Sequence, residues 1–201
     1  MVNHSALIDL WEEIHEDRAF SHLRTSGVRL VPGVGANDPL VMVIGEAPGA
    51  TENARGQPFA GKAGRVLREL MDMAGLSVMF RGNAWLTNVV KYRPPMNRCP
   101  TAREVLRSTH YLKREWRLIG KPRVLVPVGG TAMGAVAPQI TGGVLRNAGR
   151  QFDNGSVFIW PMIHPAYGLR NESAIPTIEE HWEFFGEWLR EVGVTSNAQE
   201  K

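Results

Sequence analysis

Leu40-Val41-Met42-Val43-Ile44 runs directly into Gly45-Glu46-Ala47-Pro48-Gly49-Ala50-Thr51-Glu52-Asn53-Ala54-Arg55-Gly56-Gln57-Pro58-Phe59-Ala60-Gly61-Lys62-Ala63-Gly64, and this junction decides the fold. Five successive apolar residues read as a strand buried on both faces. The strand stops where five glycines, a Pro-Gly pair and two glutamates begin, and a helical pattern leaves at Lys62. In an open α/β sheet such a loop lies beyond the carboxyl end of its strand, where ligands bind. Loops this long on a rigid scaffold are more often functional than merely connecting.

Outward from this junction, strands and helices alternate. Upstream, Leu7, Ile8, Leu10, Trp11 and Ile14 fall at helical spacing between Ser5 and His15, and a Gly/Pro-punctuated connector follows from Ser26 to Pro39. Downstream, Ala63, Val66, Leu67, Leu70, Met71 and Ala74 form one face of a helix closed by Gly75. Ala84 to Val90 reads as a second strand and Arg123 to Val128 as a third, followed by a short helix over Gly130 to Val136. Val157 to Ile163 is a fourth strand that delivers His164-Pro165. Thr101 with Glu104 predicts a capping box for a helix reaching Ile119. Thr177 with Glu180 predicts another for the last helix, lined by Trp182, Phe185, Leu189 and Val192. Trp85, Trp182 and Trp188 are read as core. The pattern predicts a three-layer α/β/α sandwich with a central, mostly parallel four-stranded sheet. It forms one domain over residues 1–194, with a loose tail from 195 to 201.

Composition bounds the function. The chain has 201 residues, 43% hydrophobic and 21% charged, enough for a core without disulfides or a structural metal. A single cysteine, Cys99, excludes an internal disulfide, and the six histidines lack zinc-ligand spacing, so no metal site is expected. The first residues contain no long apolar stretch and read as neither signal peptide nor membrane span, which predicts a cytoplasmic protein without a membrane partner. Net charge is only +3, but Lys91 to Arg123 holds ten basic residues against Glu104 and Glu115. That run reads either as a solvated helix face or as a surface for phosphates.

If the strands are parallel, the Gly45 loop, Asn88 and His164 line one edge of the sheet. Gly129-Gly130-Thr131-Ala132-Met133-Gly134 also follows a strand but fits neither the dinucleotide fingerprint nor a P-loop, and reads as a tight turn.

Gly45-Glu46-Ala47-Pro48-Gly49, with Glu52 and Gly56-Gln57-Pro58-Phe59-Ala60-Gly61-Lys62-Ala63-Gly64, resembles the first motif of the family 4 uracil-DNA glycosylases. Thr87-Asn88-Val89-Val90-Lys91-Tyr92-Arg93-Pro94-Pro95 and His164-Pro165-Ala166-Tyr167 resemble that family's second and last motifs, in the same order. The resemblance spans roughly Val31 to Asn171. It implies a DNA glycosylase that flips a base from DNA, hydrolyses its N-glycosidic bond and releases the free base, leaving an abasic site.

The residues fit that chemistry one by one. An extruded base needs a stacking ring and a reader of its edge. Phe59 supplies the ring, with Ala47 beside it in the base pocket. The Asn88 amide can accept from uracil N3–H while donating to O4, a pattern that cytosine does not present. His164 can donate to the base O2 as negative charge develops there. Glu46 can orient water toward C1′ or offset the sugar's positive charge. Glu52 matches a family position beside the 5-edge of the base, where it would obstruct a thymine methyl. Lys62, Lys91, Arg93 and Arg98 are expected to contact DNA, while Tyr167, Leu169 and Arg170 form a loop that enters the groove. No lysine is placed for Schiff-base attack, so a monofunctional enzyme without lyase activity is expected, acting as a monomer.

Two departures stand out. Family 4 enzymes hold an iron-sulfur cluster through four cysteines, but Arg18, Ser21 and Ser108 occupy three of those positions and Cys99 matches none. No cofactor is expected, and Trp11, Phe20 and Leu23 are expected to hold the N-terminal segment by packing. Asn53 stands where an aspartate is common, and Gly168 replaces a bulkier residue, which would loosen the loop after His164. These departures leave uracil as the first substrate. A hydroxymethylated or glucosylated cytosine removed in defence against phage is a second reading. A catalytically silent DNA-binding module and an unrelated nucleotide-binding protein remain further alternatives.

Overall fold

The computed structural model describes residues 1–79 and 82–193, so the tail assigned to 195–201 lies outside the described residues. In chain order the elements are α1 (His4–Glu16), β1 (Val34–Gly35), β2 (Val41–Gly45), α2 (Ala50–Arg55), α3 (Lys62–Met73), β3 (Ala84–Asn88) and α4 (Ala102–Leu118). There follow β4 (Val124–Pro127), α5 (Gly130–Val136), α6 (Gly143–Asn147), β5 (Phe152–Asp153), β6 (Phe158–Ile159), α7 (Pro165–Gly168) and α8 (Ile175–Glu191), with short 3₁₀ turns at Arg18–Phe20, Pro95–Asn97 and Glu172–Ala174.

The sheet order is β1-β3-β2-β4-β6-β5. The inner four strands are parallel and correspond to the four read from sequence, while β1 and β5 add antiparallel edges. Each edge strand is only two residues long, too short to carry a period-2 signal, so the sheet has six strands rather than the expected four. From β2 the chain passes to β3 on one side, and β4 lies on the other. The loops after β2 and β4 therefore lead in opposite directions, which opens a crevice at the carboxyl edge.

Alternation along β2 assigns the layers. Val41 and Val43 pack with Leu67, Leu70 and Met71 of α3 and with Trp182, Phe185 and Leu189 of α8. Met42 and Ile44 face the other way, toward Leu7, Leu10 and Ile14 of α1 and Leu112 of α4. Every residue of β2 and β3 is buried, which explains why β2 reads as an unbroken apolar run, while β3 carries the polar Thr87 and Asn88 at its buried carboxyl end.

Local signals hold at α4, where Thr101 accepts from the Glu104 backbone N–H at 3.2 Å and Glu104 accepts from the Thr101 N–H at 2.6 Å. The expected box at Thr177 does not form. α8 begins two residues earlier with Pro176 in its first turn, where the missing N–H costs nothing, so Thr177 is already inside the helix. Val192 lies beyond that helix and is exposed. The loop after β2 contains α2, and α6 and α7 are likewise too short for a periodic signal. Among the described residues, no helix is long and apolar enough to cross a membrane.

Candidate active site

A cavity of about 500 Å³ lies beyond the carboxyl ends of the parallel strands. Glu46, Ala47, Glu52, Phe59, Asn88 and His164 all line it, so residues from three distant segments meet at one place. The register explains this: Gly45 at the end of β2 pairs with Asn88 at the end of β3, and the Val128–Met162 bridge beyond β4 sets His164 on the same edge.

Phe59 is held by close packing of backbone. Its φ of +53° is unusual for an aromatic residue, and its ring is 6% exposed. A Cβ at Gly45 would overlap both the Phe59 ring tip and the Asn88 Oδ1, and a Cβ at Gly64 would overlap the Phe59 backbone. The glycines of this motif thus bring a ring, an amide and the start of α3 into contact. The Phe59 and His164 rings are nearly parallel, with centroids 6.1 Å apart.

Asn88 is buried, and among the described residues its side-chain amide has no hydrogen-bond partner in the protein. A polar group placed this way on a cavity wall is suited to a ligand. His164 is the N-cap of α7, and its Nδ1 accepts from the Ala166 N–H at 3.1 Å. The neutral ring therefore carries its proton on Nε2. Burial pushes the ring's pKa down, against opposing attraction from Glu46, so the imidazole stays neutral near pH 7. Glu46 accepts from the Thr131 hydroxyl at 2.5 Å. Thr131 belongs to the segment read as a tight turn. Gly129 does turn the chain, but α5 follows at once and presents the hydroxyl, a role that only proximity to Glu46 reveals.

Glu52 also braces the loop. Its Oε2 accepts from the Gly49 N–H at 3.1 Å and its Oε1 from the Gly61 N–H at 2.8 Å, closing the turn around α2. Asn53 is buried beside it, donating to the Gly27 carbonyl at 2.8 Å and accepting from the Arg29 N–H at 3.0 Å. Its side chain thus anchors the connector.

The expected DNA contacts divide. Lys91 is 3% exposed, and its ammonium donates to Glu115 at 2.6 Å, to Thr87 at 2.5 Å and to the Asn88 carbonyl at 2.6 Å. It is not a DNA contact: desolvation was met by an internal partner that the charge count could not see. Trp85, read as plain core, donates to the same Glu115 at 2.9 Å. Arg98, Arg107 and Arg114 pair with Glu104, Asp17 and Glu13, which reduces the free charge of the basic run. Arg93 is half-buried and donates to Asn97 at 2.7 Å, while Lys62 is exposed at the start of α3. Of the last loop, Leu169 and Arg170 are exposed and Arg170 reaches the cavity. Tyr167 instead packs against the core and accepts from the Asn171 amide at 3.2 Å. Gly168 is buried against Ile178 and Ile175, so it is a packing position and not the loosened loop expected from its sequence.

The sequence profile of the Uracil DNA glycosylase superfamily matches residues 32–191. The chain belongs to this superfamily. Among its relatives is a Type-4 uracil-DNA glycosylase of Thermotoga maritima, 36% identical over 153 residues that make up 76% of this chain and 77% of the relative. Proteins of the same name from Sulfurisphaera tokodaii and Archaeoglobus fulgidus are 32% identical over 173 residues (82% of this chain, 75% of the relative) and 40% identical over 124 residues (62% and 60%).

Within this superfamily, family 4 implies a cluster held by four thiolates, and the residues here do not fit one. Arg18 and Ser21 are exposed, Ser108 is buried with an unpartnered Oγ, and the single cysteine, Cys99, is exposed at the rim of the cavity beyond the strands. Among the described residues, no group of three or more His, Cys, Asp or Glu is placed to hold a metal ion. The N-terminal segment is held by Phe20 and Leu23, both buried, with Trp11 packed beside them.

Proposed function

We propose that this chain is a monofunctional DNA glycosylase that excises uracil and leaves an abasic site. The observation that carries the reading is the state of His164: neutral, with Nδ1 engaged by a backbone N–H, and therefore a donor through Nε2. Heterolysis of the glycosidic bond moves the electron pair into the base, and charge accumulates on O2, where a preorganised neutral donor stabilises the transition state. Glu46, steadied by Thr131, offsets the positive charge of the sugar and orients water toward C1′. The water oxygen bonds to C1′, and its proton leaves to the departing base or to solvent.

Phe59 stacks on the extruded base, Ala47 lines the wall, and Asn88 reads N3–H and O4. Glu52 stands at the 5-edge in a loop made rigid by its own two hydrogen bonds. Among the described residues, no lysine lines the cavity, which supports hydrolysis without a Schiff base. Lys62, Arg93, Arg98, Leu169 and Arg170 remain the proposed DNA contacts, with DNA as the partner, the free base as product and the protein acting as a monomer without a cluster.

The test is a glycosylase assay on uracil-containing oligonucleotides, scored by alkaline cleavage, beside phage DNAs containing hydroxymethylated or glucosylated cytosine. Cleavage at uracil that Glu46→Gln and His164→Ala each reduce at least 100-fold is expected, in the range found for loss of a transition-state donor. Cleavage confined to the modified cytosines, or wild-type rates in either variant, would overturn the reading.

A further inference from the structure

A second cavity, of about 890 Å³, adjoins the base cavity and plays no part in the chemistry above. Arg18, Arg98, Arg103 and Arg107 line it with His22 and His110, and among the described residues the one acid on its wall is Glu104. Glu104 is already committed, accepting from Arg98 at 2.7 and 2.9 Å, from the Thr101 N–H at 2.6 Å and engaging His22 at 2.7 Å. Asp17 pairs with Arg107 at 2.6 Å. Among the described residues, Arg18 and Arg103 have no acidic partner, and both are exposed. The groove therefore carries uncompensated positive charge.

Its position is as telling as its charge. Asn97 and Cys99 line the base cavity, whereas Arg98, between them, lines the groove. Arg98 has extended backbone (φ −62°, ψ 159°), and within three consecutive residues the chain lines both cavities. One strand of polypeptide separates the two cavities. Salt bridges fill this region: Glu104 and Asp17 join the turn at Arg18–Phe20 and His22 to the start of α4 and to Arg98, fixing both walls.

We propose that this groove is a docking surface for the phosphates that flank the extruded nucleotide, with Arg18 and Arg103 as the contacting cations. The proposal rests on the glycosylase reading for the direction of the strand, and it adds a backbone site to the base site. Arginine suits this role because its fork of donors matches phosphate oxygens.

The test compares wild type with Arg18→Ala/Arg103→Ala and Arg18→Lys/Arg103→Lys by fluorescence anisotropy on a 15-nucleotide single strand across a series of salt concentrations. Both positions are exposed, and thermal melting checks that folding is unchanged. The expected result is about tenfold weaker binding for the alanine pair at 0.1 M salt, with the slope of log K against log salt reduced by about 1.4, that is ~0.7 for each lost phosphate contact. The lysine pair should keep most of the slope. On a uracil-containing strand, the alanine pair should raise KM while kcat stays within twofold. Wild-type affinity and slope in the alanine pair, or a fall in kcat with unchanged affinity, would overturn the proposal. A wild-type protein that binds DNA but makes no abasic product would instead sink the glycosylase reading, and the anisotropy comparison would still report on the groove.

Discussion

The Thr131 hydroxyl donates to Glu46 Oε2 at 2.5 Å, linking the first turn of α5 to the first residue after β2. The contact spans the two loops that diverge from neighbouring strands, so the crevice is tied across its mouth by one hydrogen bond. Glu46 thereby keeps one oxygen occupied and one direction fixed. Thr131→Val, which preserves shape but removes the donor, should lower single-turnover cleavage about tenfold, since hydrogen bonds to charged groups contribute about 1.5–3 kcal/mol. Thr131→Ser should stay within threefold of wild type. Equal rates in all three proteins would show that Glu46 needs no orienting partner.

His164 gives a pH dependence of defined sign. Its folded pKa is pushed below the ordinary value of 6.5, chiefly by burial. The unfolded chain then takes up a proton first as pH falls, so stability declines as pH drops below 6.5 and not above it. The neutral donor persists across the range from pH 8 to 6.5, and the cleavage rate should show no inflection there. A step in the wild-type profile above pH 6.5 that disappears in His164→Ala would mean that the ring titrates higher than its burial dictates.

Lys91 and Glu115 form a buried pair 2.6 Å apart, with burial pushing the lysine pKa down and Glu115 holding it up. Lys91→Met leaves Glu115 buried and uncompensated, and should destabilise the protein by about 3–5 kcal/mol in urea denaturation. Lys91→Met/Glu115→Leu should recover a large part of that loss. Because the ammonium also holds the Asn88 carbonyl, the double variant should discriminate uracil from cytosine less sharply even where it folds. Additive losses in the double variant would show that the two side chains act separately.

Glu104 is 3% exposed and its pKa is lowered to about 2, first by its hydrogen bonds with Arg98 and then by those with the Thr101 N–H and His22. A folded pKa below the unfolded one means that the contribution is present above about pH 4.5 and lost as pH falls toward 2. The magnitude is about 3 kcal/mol, from roughly 2.5 units at 1.36 kcal/mol each. Glu104→Gln should be less stable than wild type at pH 7, and the difference should shrink through pH 4 to 2. A gap that stays constant over that window would place the stabilisation elsewhere.

The sequence alone makes legible the four inner strands, the helices α1, α3, α4, α5 and α8, and the residues that meet in the cavity beyond the strands. It could do so because burial on both faces leaves continuous apolar runs, amphipathic helices repeat with their own period, and Thr101 and Glu104 cap locally. Asn88 and His164 are legible because one ends a parallel strand and the other follows one within a few residues, and parallel strands end on one edge; Phe59 lies in the long loop after β2, on that same edge. Pairings across the chain become visible only once the chain is folded. Lys91 looked like a free cation until Glu115, 24 residues away, met it in the interior. Thr131 was one hydroxyl in a glycine-rich turn until the crevice set it against Glu46, 85 residues away. Edge strands of two residues hold their shape only through the neighbour that they pair with, and carry no periodic signal of their own. Local chemistry writes itself into neighbouring residues, whereas desolvation and charge pairing depend on which distant groups the fold brings within a few ångströms.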